Sequence, residues 1–156
     1  MLNRFARFSF SIAEIDRCWH KLAAAEMAKY GLNSPHAVYL HMLSQYGEGI
    51  TAAKLGELCA KNKADVSRMV SILEKKGLVR KETTGNNFYR ARILLTEEGK
   101  QAALHVQERA AVAVELAGAG LSDETREVFY SALEQITANL QTLSREGLPT
   151  NAPSRK

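Results

Sequence analysis

The sequence predicts an all-α fold with one small β-wing, and three observations lead there. Apolar residues recur at helical spacing along most of the chain. A single stretch, residues 78–95, alternates like a pair of strands around a polar turn. Glycines and capping residues punctuate the helical runs. At 156 residues and 46% hydrophobic content, the chain suits one domain, 1–156, with a core of its own.

A first helix is expected from Ser9 to Lys29, since Phe8, Ile12, Ile15, Trp19 and Leu22 fall at helical spacing and Gly31 ends the run. Ser34-Pro35 opens a second helix: serine can accept from a free backbone N–H, and proline tolerates the first helical position. Val38, Leu40 and Leu43 are its apolar residues, and Tyr46-Gly47-Glu48-Gly49 closes it. Thr51 caps a short third helix, Ala52 to Cys59. Asn62 caps a fourth, Lys63 to Lys76, with Asp65 in the first turn favouring the helix dipole and Gly77 as the stop.

Two extended stretches follow, Leu78–Thr83 and Arg90–Leu95, around Thr84-Gly85-Asn86-Asn87. In the second, Ala91, Ile93 and Leu95 share one face and Arg90 and Arg92 the other, as in a half-buried hairpin. The turn residues tolerate positive φ. Thr96 caps a fifth helix running to about Ala117, and Gly118-Ala119-Gly120 breaks it. Ser122-Asp123-Glu124 starts a sixth, with Val128, Phe129, Leu133, Ile136, Leu140 and Leu143 as an apolar stripe. The polar, proline-containing tail 147–156 is expected to fray.

The net charge of +4 is unevenly spread. Residues 51–96 hold ten basic and four acidic groups, a balance of +6, while the rest of the chain carries −2. Such an asymmetry points to a polyanionic partner for the middle third. On the fourth helix, Val66, Met69, Val70 and Leu73 fall on one side. Ala64, Ser67, Arg68, Ser71 and Lys75 fall on the other, a narrow basic face without an acid. A merely solvated face would mix Glu with Lys.

A short helix, a three-residue link (Ala60-Lys61-Asn62) and a second helix form the helix-turn-helix layout, whose second helix enters the major groove of duplex DNA. By itself this fits an ordinary helix pair equally well. The hairpin that follows adds Arg80, Lys81, Arg90 and Arg92, placed to reach phosphates or a minor groove, and the combination is far more specific.

The run Ile50-Thr51, Leu55, Leu58, Val66-Ser67-Arg68-Met69-Val70, Leu73-Glu74-Lys75-Lys76-Gly77-Leu78-Val79-Arg80 and Leu95-Thr96-Glu97-Glu98-Gly99 resembles the MarR (multiple antibiotic resistance regulator) family of bacterial repressors. With the helix order on either side, the likeness covers roughly residues 9–144. It implies a winged helix-turn-helix over 34–96, flanked by dimerisation helices at 9–30 and 97–144. It further implies a homodimer on a near-palindromic operator, released by a signal such as a small-molecule effector.

By position, Ser67, Arg68 and Ser71 would face DNA, with Lys63 and Ala64 near the helix start and Lys75, Arg80, Arg90 and Arg92 as further basic contacts. The family commonly has an Asp followed closely by Arg before the second wing strand. Here Asn86-Asn87-Phe88-Tyr89-Arg90 lacks the Asp and brings the Arg about one place late, which leaves the wing-tip contact open. The family's effector cleft makes Trp19, His20, Tyr30, His36, Tyr39 and His41 candidates for lining a pocket; ordinary core and boundary residues is the plainer reading.

Other chemistries have less behind them. Cys18 and Cys59 match neither a zinc cluster nor a disulfide framework, so buried free thiols are expected. Some MarR relatives sense peroxide through a first-helix cysteine, but Cys18 sits nearer the helix end than theirs. His36, His41 and His105 form no compact ligand motif, so neither metal nor cofactor is expected. With no phosphate-binding loop, nucleophile elbow or His-Glu-x-x-His run, an enzyme is not expected either. No apolar run reaches about eighteen residues, and Glu14, Asp16 and Arg17 interrupt what would be a signal peptide, so a cytoplasmic protein is expected. The remaining competitor is a winged helix that binds protein and not DNA.

Overall fold

The computed structural model describes residues 3–83, 85 and 90–150. Among the described residues, six α-helices and three short strands follow in the order α1 (Arg4–Ala28), α2 (Pro35–Ser44), β1 (Ile50–Thr51), α3 (Ala52–Cys59), α4 (Lys63–Lys75), β2 (Val79–Glu82), β3 (Arg92–Leu95), α5 (Glu97–Ala117) and α6 (Asp123–Glu146). The expected all-α class with a small β-wing is what is found.

Local chemistry accounts for most helix ends. Thr51 Oγ1 accepts from the Lys54 N–H at 3.2 Å and Asn62 Oδ1 from the Asp65 N–H at 2.8 Å, starting α3 and α4 where expected. Thr96 Oγ1 accepts from the Gly99 N–H at 3.0 Å and donates to the Gly77 carbonyl at 2.6 Å, joining the start of α5 to the end of α4. Two starts differ from expectation. The first helix begins at Arg4, not Ser9, because Asn3 Oδ1 caps the Ala6 N–H at 2.8 Å. Ser34 makes no side-chain cap: its backbone is already helical (φ −49°, ψ −40°), away from the extended geometry a capping side chain needs.

The link between α3 and α4 is tight. Ala60 takes the left-handed conformation (φ 52°), and the Lys61 N–H closes on the Gly56 carbonyl at 2.9 Å. A Cβ at Gly56 would stand 2.9 Å from the Lys61 carbonyl oxygen and 3.1 Å from Val66 Cγ2, so only glycine permits this approach.

The sheet has the order β1-β3-β2, antiparallel throughout. The hairpin was expected; β1 was not, since Ile50–Thr51 is too short to alternate. Its partners are Ile93 and Arg92. The strands are also shorter than the stretches 78–83 and 90–95. On β3, Ile93 and Leu95 are buried and Arg92 is exposed, but Leu94 is buried as well. The expected alternation of faces breaks there because the turn before β1 covers the second face: Gly49 lies against Leu94.

The chain divides into two compact units, Met1–Val112 and Ala113–Lys156. The first has a continuous core: Tyr39, Leu40 and Leu43 of α2, Leu55 of α3, Val66, Val70 and Leu73 of α4, Ile93 and Leu95 of β3, and Ala102 and Ala103 of α5. From α1 only Met27 is buried; Phe8, Ile12, Ile15, Trp19 and Leu22 of the expected stripe are exposed. In the second unit Ser122 caps α6, and Arg126 holds Glu115 (2.9 and 3.0 Å) and the Gly118 carbonyl (3.0 Å). No residue of α6 is buried.

Candidate nucleic-acid interface

The predicted two-sidedness of α4 is present. Val66, Val70 and Leu73 are buried and Met69 half-buried, which fixes the helix's rotation about its axis. Burying a side chain such as Leu73 stabilises by about 1.5–3 kcal/mol, far more than any surface pair on the other side. Lys63, Ala64, Ser67, Arg68 and Lys75 are exposed on that other side, and Ser71 is half-buried.

The face is not free of acid as expected. Asp65 forms an ion pair with Arg68, three residues on. The i, i+3 spacing of Asp65 and Arg68 makes this pair legible in the sequence, beside the helix-dipole role expected of Asp65. Both partners retain solvent access, so the pair is worth at most about 1 kcal/mol and an incoming polyanion can displace it.

The hairpin shows the same local pairing. Arg80 is ion-paired with Glu82, two residues along the same strand face, and Lys81 reaches Glu74 of α4 at 3.3 Å. Arg90 is exposed. Arg92 is exposed too, and its Nη1 donates to the Glu48 carbonyl at 3.1 Å, a contact no sequence pattern announced. Residues 84 and 86–89, which hold the departure from the family's wing pattern, lie outside the described residues.

The six candidate pocket residues do not converge. Trp19, His20 and His41 are exposed, and His20 Nδ1 lies 2.9 Å from the Asp16 carbonyl on its own helix. Tyr30 is half-buried with its ring edge-on to His105. His36 and Tyr39 are core residues; His36 Nδ1 accepts from the Asn33 N–H at 3.1 Å, and burial lowers its pKa. A groove of about 350 Å³ lies elsewhere, between the end of α2 and α5, lined by Leu43, Tyr46, Leu95, Lys100, Leu104 and Gln107. Gln107 donates to Ser44 Oγ at 2.9 Å on its wall.

The thiols divide. Cys59 is half-buried and its pKa is raised by that burial. Cys18, expected to be buried, is exposed on α1, with Glu14 and Arg17 beside it. Among the described residues no group of three His, Cys, Asp or Glu is placed to hold a metal, and no helix is long and apolar enough to cross a membrane.

A carboxylate that sequence reading missed organises the other end of α1. Glu26 accepts from His105 Nε2 at 2.8 Å and Arg109 Nε at 3.1 Å, both on α5, and from Lys29. Hydrogen bonds from Lys29, then His105 and Arg109, lower its pKa to about 2.

Comparison with known proteins agrees with this architecture. The MarR family matches residues 30–87. No curated protein matches the chain. Among solved structures, a MarR transcriptional regulator from Methanosarcina mazei Go1 is 20% identical, over 92% of this chain and 94% of that one, with a TM-score of 0.79. A putative MarR family transcriptional regulator from Listeria monocytogenes, complexed with 26mer DNA, is 21% identical over 97% and 100% of the two chains, with a TM-score of 0.76. S. aureus MepR, solved as a DNA complex, is 17% identical over 85% and 97%, with a TM-score of 0.76. The likeness read from the run between Ile50 and Gly99 is thus borne out: the segment 30–87 matches the MarR family, and the chain has the fold of the MarR-family regulators.

Proposed function

We propose that this chain is a DNA-binding transcriptional regulator of the MarR type, acting as a homodimer in the cytoplasm. One observation carries the reading: α4 is fixed by its buried side so that Lys63, Ala64, Ser67, Arg68, Ser71 and Lys75 occupy the solvent side, behind a tight helix-turn-helix link. At 13 residues α4 is roughly 20 Å long, enough to lie in a major groove. Arg80 and Arg90 would anchor the flanks on phosphates. The surface pairs Asp65–Arg68 and Arg80–Glu82 are weak enough to exchange for phosphates on binding. DNA complexes of the Listeria and S. aureus relatives support the same use of the fold.

The exposed apolar side chains of α1 and α6 support dimerisation through the regions 9–30 and 97–144, which leaves 34–96 as the DNA-binding part. Two copies related by a two-fold axis would read a near-palindromic operator. A repressor relieved by a small-molecule effector is the regulatory mode we propose, by likeness to the family.

The test is salt-dependent DNA binding. Affinity for duplex DNA should fall steeply as salt rises. Arg68→Ala should weaken binding to a selected operator by more than about 1 kcal/mol without loss of the dimer. Salt-insensitive binding to a protein, or unchanged operator affinity in Arg68→Ala, would overturn the reading or Arg68's part in it.

A further inference from the structure

The wing base is fastened to the turn before β1 by two contacts that DNA recognition leaves unused. Arg92 lies opposite Thr51 on one side and Glu82 on the other. Its guanidinium donates to the Glu48 carbonyl, 44 residues away in sequence, at 3.1 Å. Next to that carbonyl Gly49 has φ +75°, and a Cβ there would stand 2.7 Å from Leu94 Cγ and 3.0 Å from the Ile93 carbonyl oxygen. Leu94 is buried in that space. The Gly49 N–H donates to the Tyr46 carbonyl at 2.8 Å, so the turn is also closed on itself.

The turn is therefore seated on β3 from two sides, by a charged hydrogen bond and by an apolar fit. The geometry has a physical use. The β1–β3 ladder comprises only two residue pairs, and so short a pairing holds little by itself. Core burial of Val79, Ile93 and Leu95 holds the hairpin on one face, and the contacts with the turn fix its outer edge beside β1.

We propose that Arg92 is a positioning residue: it braces β3 against the Glu48 carbonyl, sets the tilt of the wing, and supports DNA affinity without touching a phosphate. This rests on the DNA-binding reading above and replaces direct phosphate contact as the role of Arg92. A brace and a phosphate contact differ in what they leave behind when removed. Losing a phosphate contact lowers the salt slope of binding by about one, whereas losing a brace lowers affinity at every salt concentration with the slope intact.

The experiment uses the full chain with Arg92→Ala. Without DNA, amide exchange at Gly49 should quicken, by about five-fold for one ordinary hydrogen bond lost. With a mixed-sequence DNA duplex, affinity should fall by a similar factor, about five-fold, at unchanged salt slope. Gly49→Ala attacks the same seat without altering charge and should weaken duplex binding too. A slope lower by about one, or Gly49 exchange unchanged in Arg92→Ala, overturns the proposal. If the unaltered protein shows no salt-dependent duplex binding, the DNA-binding reading fails, and the exchange measurement alone still decides whether Arg92 is a brace.

Discussion

Helices α4 and α6 carry the same kind of pattern and meet different fates. Both are capped by an Asn or Ser side chain, both have acid in the first turn and a basic residue in the last, and both line apolar residues along one side. Helix α4 buries Val66, Val70 and Leu73, whereas α6 buries nothing, leaving Val128, Phe129, Leu133, Ile136 and Leu140 exposed. Amphipathicity says that a face needs an apolar partner; it does not say that the same chain supplies one. An exposed row of this length on a helix marks an interaction surface. In α4 the partner is internal and the polar side is left to solvent. In α6 the apolar side itself awaits a partner.

The largest effect should come from the buried stripe. Leu73→Ala should lose about 2–5 kcal/mol in urea unfolding, because the site is closed on all sides and cannot collapse freely. A loss below about 1 kcal/mol would break the comparison, since it would mean α4 is no better packed than α6. On α6 the expected effect is on association: Leu133→Asp should weaken dimerisation by roughly ten-fold or more in sedimentation, with the winged part still folded. Undiminished dimer mass would remove α6 from the proposed interface.

The smallest effect sharpens the contrast on α1, which exposes its apolar stripe yet is tied to α5 by Glu26. The Glu26 carboxyl is held at about 2 in the folded chain against an ordinary 4.5. Its pairing thus adds stability above about pH 4.5, which is lost as pH falls through about 2. Glu26→Gln should flatten that acid limb in a pH series of thermal unfolding. An unaltered limb would show that the clasp contributes nothing.

Short-range features were readable in advance. The caps at Thr51 and Asn62, the ends of α3 and α5, and the two sides of α4 follow from residues within one or two helical turns of each other, where side-chain chemistry and periodicity act directly. Errors of the same short range were small: the early start at Asn3 and the uncapped Ser34 turn on backbone angles that a residue name does not fix. Within the candidate site, the exposure of Lys63, Ser67, Arg68 and Lys75 was legible for the same reason. The ion pairs of Arg68 and Arg80 were legible in principle from their spacing.

What the residues alone could not settle involves partners far apart in the chain. Strand β1 exists because Ile50 and Thr51 find Ile93 and Arg92, and two residues carry no periodicity to announce it. Leu94 is buried because a glycine turn 45 positions earlier lies over it, and Arg92 turns to a carbonyl of the same turn. His36 and Tyr39 went to the core while Trp19 and His41 stayed outside, which scatters within the chain the set that the family likeness had grouped. Helical and capping preferences are properties of neighbours, so they survive in a bare string of letters. Burial, ladder pairing and braces depend on which distant segments share space, and only the folded chain determines that.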